Sequence, residues 1–141
     1  MDSPTVLCVD DIPQVLELRR ATLESHGYCV KIACSAYSAM KMLEKASVAA
    51  VLLEYKQEGM DAEALACLIK QRFPSLPIIL LSAYSEMPER ILWLVDEYVM
   101  KSEPAEGLVR VIERVTHQAG SHSNSNGRSL RGGAAALAIT Q

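Results

Sequence analysis

The chain has 141 residues, of which 50% are hydrophobic and 22% charged, with a formal net charge of -3. This length favours one domain that buries its own core. Its 17 acidic residues outnumber its 14 lysines and arginines and alternate with them, which argues against a nucleic-acid-binding protein. The amino terminus lacks the positive charge of a signal peptide, and no apolar run approaches the roughly 18 residues of a membrane span, so we expect a cytoplasmic protein.

Short apolar segments alternate along the chain with segments of helical periodicity. The predicted strands are Thr5 to Val9, Cys29 to Ala33, Ala49 to Leu53, Pro77 to Leu81 and Glu97 to Met100. The predicted helices are Pro13 to His26, Ser35 to Lys45, Asp61 to Phe73, Pro88 to Val95 and Pro104 to His117, with Asp61 as a helix cap. This rhythm predicts an α/β fold with a five-stranded parallel doubly wound sheet between two helical layers.

Several apolar side chains are expected to pack inside this fold. The first and third helices place Leu18 and Leu68 on their predicted apolar stripes. Trp93 follows Ile91 and Leu92, and its default position is against the sheet, with a partner-binding patch as the alternative. Four cysteines lack metal-binding spacing, and all but Cys34 fall in apolar segments. They are expected to be reduced core or near-core thiols, at Cys8, Cys29, Cys34 and Cys67.

The composition changes abruptly at Ala119, where a Ser, Gly and Asn-rich stretch begins. We expect residues 1–118 to form the folded domain and residues 119–141 to be a disordered tail that adds no output domain. The apolar stretch Ala134 to Ile139 near its end is either a partner-binding segment or an inert or vector-derived extension.

Polar side chains follow four of the predicted strands. Asp10 and Asp11 follow the first strand, Glu54 the third, Ser82 the fourth and Lys101 the fifth. Because parallel strands end at one edge of a sheet, these residues are expected to meet in one crevice. Three clustered carboxylates need a cation or a raised pKa, and Mg²⁺ accepts carboxylates, a backbone carbonyl and water as ligands.

This pattern resembles the receiver domain of two-component response regulators over residues 4 to about 118. The matching pieces are Val9-Asp10-Asp11, the segment from Val51 to Asp61, Leu80-Leu81-Ser82-Ala83, and Tyr98-Val99-Met100-Lys101. The resemblance implies a flavodoxin-like strand order, 2-1-3-4-5.

The resemblance also implies roles for these residues. Glu54 stands at the phosphoacceptor position. Mg²⁺ is expected on Asp10, Asp11, Glu54 and the backbone carbonyl of Lys56. Ser82 would bind the phosphoryl group and Lys101 would balance its charge. Ser82 and Tyr98 would form the switch, with Tyr98 swinging inward.

The acceptor position departs from the family, which has Asp where this chain has Glu54. The extra methylene moves the carboxylate by roughly 1.3 Å, and a displacement of about 1 Å can slow phosphoryl transfer on the order of 100-fold. Three alternatives follow: Glu54 mimics the phosphorylated state by contacting Lys101 or Ser82, the pocket has lost its switch, or Glu54 or a neighbouring acid is still phosphorylated.

Other departures surround the same pocket. Ser102 replaces the Pro that usually follows the Lys, and because a cis bond before Ser costs about 3 kcal/mol, we expect a trans bond with a reshaped loop, or strain. Glu58 and Ala62 replace a Pro and a Gly of the loop after the acceptor. Only 16 positions separate Ser82 from Tyr98, so the fourth helix or its loop should be short.

Five of these site residues could instead have a purely structural role. Asp10 and Asp11 could cap the first helix, Lys101 could be a surface lysine, Ser82 could be a residue that follows a buried strand, and Tyr98 could be a permanently packed aromatic. None of the three histidines has the spacing of a ligand set or a phosphotransfer site.

The sequence therefore predicts a single-domain receiver in phosphorelay signalling that is not an enzyme and acts by protein contact, with a degenerate or phosphomimetic acceptor at Glu54. The alternative is a working Mg²⁺-dependent phosphoacceptor served by a histidine kinase. A small phosphatase is less favoured, because positions 12 and 56 are Ile and Lys rather than a second acid. The expected partner is a histidine kinase or another signalling protein, with neither nucleic acid nor membrane, and a homodimer could form through the face from the fourth to the fifth helix.

Overall fold

The structure is a computed structural model that describes residues 3–55 and 59–121, with side chains described up to residue 117. Its strands are β1 (Thr5–Val9), β2 (Cys29–Ala33), β3 (Ala50–Glu54), β4 (Ile78–Ser82) and β5 (Glu97–Met100). Its helices are α1 (Pro13–Glu24), α2 (Ala36–Lys45), α3 (Ala62–Arg72), α4 (Glu89–Leu92) and α5 (Ala105–Ser121).

The five strands form one parallel sheet in the order β2-β1-β3-β4-β5, which confirms the predicted flavodoxin-like topology. Strands β3 and β4 are buried throughout, as expected for central strands covered on both faces. Both begin one residue later than predicted. One apolar core packs α2, α3 and α4 on one face of the sheet, and a second packs α1 and α5 on the other.

Local signals set several helix boundaries. Asp61 caps α3 as predicted, with its side chain accepting a hydrogen bond from the backbone N–H of Ala64 at 3.0 Å. Ser35 caps α2 in the same way through Ser38. Gly27 has a φ of +93°, which only glycine adopts readily, and this conformation turns the chain from α1 toward β2.

The last helix differs from its predicted bounds. α5 continues to Ser121, four residues beyond the predicted end at His117, so residues 119–121 are helical although the sequence assigned them to the tail. The Gly and Ser composition there is a weak signal that an already formed helix can override. Residues 122–141, the rest of the predicted tail, lie outside the described residues.

Three apolar side chains that were expected to be buried are exposed instead. Trp93 is 64% exposed, Leu18 71% and Leu68 43%. α4 has only four residues, and Ile91, which is fully buried, takes its one position against the core. Sequence periodicity alone overestimated how wide an apolar stripe each helix presents to the sheet.

The cysteine prediction holds for Cys8 alone. Burial raises the pKa of its thiol to about 12, which keeps it protonated. Cys29 and Cys67 are exposed, as is Cys34. β2 is an edge strand whose side chains alternate between the core and solvent, and Cys29 falls on the solvent side.

In the part of the chain that the structure describes, no helix is long and apolar enough to cross a bilayer.

Two leucines of α1 provide a test of this packing. Leu16→Ala should lower the free energy of unfolding by about 2–5 kcal/mol, because Leu16 is fully buried. Leu18→Ala should change it by less than about 0.5 kcal/mol, because the side chain already lies mostly in solvent. Urea denaturation followed by circular dichroism measures both, and equal losses in the two variants would contradict this orientation of the helix.

Candidate phosphoacceptor pocket

The predicted site residues meet at the carboxyl edge of the sheet. Hydrogen bonding between neighbouring strands continues one residue past the strand ends: the N–H of Asp10 donates to Ala33, and that of Lys101 donates to Ser82. These bonds fix the backbones on which the candidate side chains stand. Asp10, Glu54 and Ser82 are almost completely buried, with exposures of 1%, 3% and 0%.

The Glu54 carboxylate forms an ion pair with Lys101. The Oε1 atom of Glu54 lies 2.9 Å from the Nζ atom of Lys101, and the Glu54 side chain is 4% exposed whereas that of Lys101 is 35% exposed. The two side chains reach each other across the intervening strand β4, since β3 and β5 both flank it. The interpretation of Lys101 as an ordinary surface lysine does not fit this contact.

The acidic pair after β1 is held by backbone donors. The N–H of Ile12 donates to Asp10 Oδ1 at 3.0 Å, and the N–H of Gly59 donates to Asp11 Oδ2 at 2.9 Å. The other oxygen of Asp10, Oδ2, is buried. When Asp10 and Asp11 are both ionised, it accepts no hydrogen bond from the described residues. A buried carboxylate oxygen of this kind is suited to a cation.

Burial raises the pKa of the Asp10 carboxyl, and proton sharing with Asp11 raises it further. The Ile12 N–H and the positive charges of Lys101 and Arg19 act in the opposite direction. Burial likewise raises the pKa of Glu54, as does repulsion from Asp10, whereas the ion pair with Lys101 opposes the rise. Burial is therefore the largest cause of both pKa shifts, and the neighbouring carboxylates add to it.

These donors fit Mg²⁺ in part. Asp10 and Asp11 supply adjacent hard oxygen ligands of the kind that Mg²⁺ takes together with water. Over residues 3–55 and 59–121, no three acidic, histidine or cysteine side chains converge in an arrangement that could hold a metal ion. Glu54 is directed toward Lys101, and the backbone carbonyl of Lys56 lies outside the described residues, as does Glu58. The four-ligand set therefore stays a prediction.

The predicted switch residues are joined through Tyr84. The Ser82 hydroxyl accepts a hydrogen bond from the Tyr84 N–H at 2.9 Å, and the Tyr98 hydroxyl donates to the Tyr84 carbonyl. Burial raises the pKa of Tyr98, while a hydrogen bond with the Ser82 side chain acts against that rise. The phenol is thus directed toward the pocket and half-buried.

Tyr84 was not a predicted site residue. A hydroxyl two positions before it is a local signal for a turn closed by a side chain, but it gives no hint of the Tyr98 contact.

The loop after β5 accommodates Ser102 with a trans peptide. No cis peptide bond occurs in the described part of the chain, and the N–H of Glu103 donates to the Met100 carbonyl at 3.0 Å, closing a turn around Lys101 and Ser102. The predicted shortening after Ser82 is also present, because α4 has a single turn.

Comparison with known proteins identifies the family. The model of the response regulator receiver domain matches residues 6–113. This chain belongs to the response regulator receiver domain family. Among curated relatives, a putative NtrX-like response regulator of Rickettsia felis is 34% identical over 86 residues, and the transcriptional regulatory protein GlrR of Escherichia coli is 31% identical over 86 residues. These matches cover 60% and 61% of this chain but only 18% and 19% of the relatives.

Solved receiver structures share the whole fold. The response regulator TrrA of Thermotoga maritima, solved in complex with Mg²⁺ and BeF, is 29% identical with a TM-score of 0.73, and the match covers 79% of this chain and 98% of that one. The receiver domain of NtrX from Brucella abortus is 25% identical with a TM-score of 0.74, and covers 80% and 98%. This chain is therefore a receiver domain, a module of two-component signalling.

The buried charge of Asp10 provides a pH test in metal-free buffer. The folded-state pKa of Asp10 lies above its unfolded value of about 4, so the folded chain binds this proton more tightly. The free energy of unfolding therefore decreases as the pH rises from the unfolded-state pKa through the folded-state pKa. Asp10→Asn cannot ionise and keeps an oxygen for the Ile12 N–H. It should raise the urea midpoint at pH 7.5, with the gain disappearing below pH ~4.

Asp61→Asn is the matched control, since Asp61 is an exposed helix cap and Asn caps comparably well. A gain in Asp10→Asn that is the same at every pH would contradict the assignment to ionisation.

Proposed function

We propose that this receiver holds a phosphomimetic acceptor site, in which the Glu54 carboxylate takes the place of a phosphorylated side chain. The observation that carries the proposal is the 2.9 Å ion pair between Glu54 and Lys101. In the family the Lys balances phosphoryl charge, so a carboxylate that reaches it without phosphorylation supplies part of the same interaction. The module then signals by protein contact and catalyses no reaction on a substrate.

The orientation of Tyr98 supports the same proposal. Its hydroxyl is bonded to the Tyr84 carbonyl, and Tyr84 is bonded to Ser82. The inward position of this aromatic is the one expected for the switched state. A carboxylate carries one charge where a phosphoryl group carries about two, so the mimicry is partial and depends on burial, which strengthens the attraction to Lys101.

Mg²⁺ belongs to this proposal as a ligand of Asp10 and Asp11. It would neutralise the acidic pair and lower the cost of burying it. The relative from Thermotoga maritima was solved with Mg²⁺ and BeF at 29% identity, which supports a cation in the corresponding pocket of this chain.

The partners follow from the family. A histidine kinase or another signalling protein is the proposed partner. The exposed side chains of Tyr84, before the short fourth helix, and of Trp93, directly after it, offer a surface where that partner or a second copy could dock. The net charge of -3 and the absence of a basic stripe in the sequence argue against direct nucleic-acid binding.

The alternative function, a working phosphoacceptor, is distinguished by labelling. Incubated with Mg²⁺ and a small phosphodonor such as acetyl phosphate, the native chain should show no phosphoryl adduct by intact mass, because the longer Glu54 side chain misplaces the nucleophilic oxygen. Glu54→Asp should gain the adduct. An adduct on the native chain that is lost in Glu54→Gln would establish the alternative.

Phosphomimicry makes a second prediction, on conformation. The amide resonances of Tyr84, Tyr98 and Lys101 should shift in Glu54→Gln, because a neutral amide cannot hold the lysine charge. In Glu54→Asp they should also shift, and phosphorylation of that variant should return them toward their positions in the native chain.

Glu44→Gln is the matched control for this experiment. It breaks an exposed ion pair with Arg72 at 2.8 Å, remote from the pocket, and should leave the three resonances unchanged. A native spectrum that instead coincides with unphosphorylated Glu54→Asp would mean that the pocket has lost its switch and is not held in the switched state.

A further inference from the structure

An apolar pocket lies at the edge of the sheet opposite to the acidic site. Its volume is about 620 Å³, within the ~300–1,000 Å³ typical of pockets that enclose a ligand. The lining comes from the end of α2, the segments that lead into β3 and β4, and the last turns of α5, and includes Leu43, Val48, Phe73, Leu76 and Thr116. The pocket thus lies where the two helical layers meet beneath the amino ends of the central strands.

The fifth helix brings the chain to this pocket. α5 begins after β5 at the carboxyl edge and runs back along the sheet for 17 residues, or about 25 Å. Thr116 lines the pocket, and the helix ends at Ser121, little more than one turn later. The described part of α5 therefore ends close to the pocket.

The sequence after Ser121 has a polar spacer followed by an apolar segment. Twelve residues, rich in Ser, Asn and Gly, separate the helix from Ala134–Ile139, whose largest side chains are Leu137 and Ile139. A linker of this length spans up to ~40 Å when extended and averages ~20 Å as a flexible chain. The apolar segment can therefore reach the pocket from the end of α5 without rearrangement of the domain.

Charge favours the same contact. All 17 acidic residues of the chain precede residue 122, whereas the segment beyond it carries Arg128 and Arg131 and no acidic residue. A basic segment tethered to an acidic domain is attracted to it, most strongly at low salt. Tethering also gives the apolar segment an effective concentration on the order of mM at a nearby site, which lets even a weak contact form.

We propose that Ala134–Ile139 binds in this pocket of the same chain, with Leu137 and Ile139 against its apolar lining. The segment covers apolar surface at the amino edge and ties the end of α5 to the segments that lead into β3 and β4. This inference is independent of the state of Glu54, which lies at the other edge of the sheet.

The test uses the full chain, labelled with ¹⁵N, and its L137D/I139D variant. Two charges cannot enter an apolar pocket without a large cost, so the variant should release the segment and shift the amide resonances of Leu43, Val48, Leu76 and Thr116. The resonances of Ser82 and Lys101 should not move. The S125D/S129D variant places the same two charges in the polar spacer and should leave the pocket resonances as in the native chain.

Two results would overturn the proposal. The first is an L137D/I139D spectrum that matches that of the native chain at the pocket residues. The second is a dependence of the native pocket resonances on protein concentration over a 100-fold dilution, which would indicate that the segment binds a second copy instead. Pocket shifts that are independent of concentration and confined to L137D/I139D support binding within one chain.

Discussion

Hydrogen bonds between parallel strands hold the carboxyl ends of β1, β3, β4 and β5 at one edge, and every charged group of the candidate site depends on them. The bonds from the Asp10 N–H to Ala33 and from the Lys101 N–H to Ser82 extend this ladder past the strands themselves. A shift of one residue in any strand would turn its last side chain to the opposite face. The buried Val, Leu and Ile side chains of the strands set the pairing register, and the register therefore positions the polar side chains of the site.

At the carboxyl edge of this sheet, Glu54 is one methylene longer than the acceptor Asp of the family. Glu54 is buried, and its carboxylate forms an ion pair with the ammonium group of Lys101. Under the proposed phosphomimetic function, the extra methylene displaces the oxygen that would accept a phosphoryl group and supplies a negative charge where the family places that group.

The opposite edge of the sheet has a different character. There the strands begin, the connecting segments are apolar, and the pocket between α2 and α5 carries no charged lining residue among those described. The two edges therefore differ in chemistry: charged and polar side chains meet at the carboxyl edge, whereas mostly apolar side chains line the pocket at the amino edge. The buried strands β3 and β4 run from one edge of the sheet to the other and so support both sites.

Much of the architecture was predictable from local patterns. Three strands have the predicted bounds and two are displaced by one residue, because continuous runs of buried apolar residues bounded by turns leave little choice of conformation. The fourth helix was expected to be short, and it is. Exposure was less predictable: Leu18, Leu68, Cys29, Cys67 and Trp93 are apolar in sequence but lie toward solvent, since the width of each buried stripe depends on how the helix or strand packs.

For the candidate site, too, the sequence predicted some features and the tertiary structure decided others. The sequence by itself determined which residues stand at the strand ends, their chemical types, and the family to which they belong, because order and spacing along the chain are sufficient for that. The pairing of Glu54 with Lys101, the buried second oxygen of Asp10 and the link from Tyr98 through Tyr84 to Ser82 were decided by the tertiary structure. These contacts join residues far apart in sequence, and their distances depend on burial and side-chain reach that no local pattern contains.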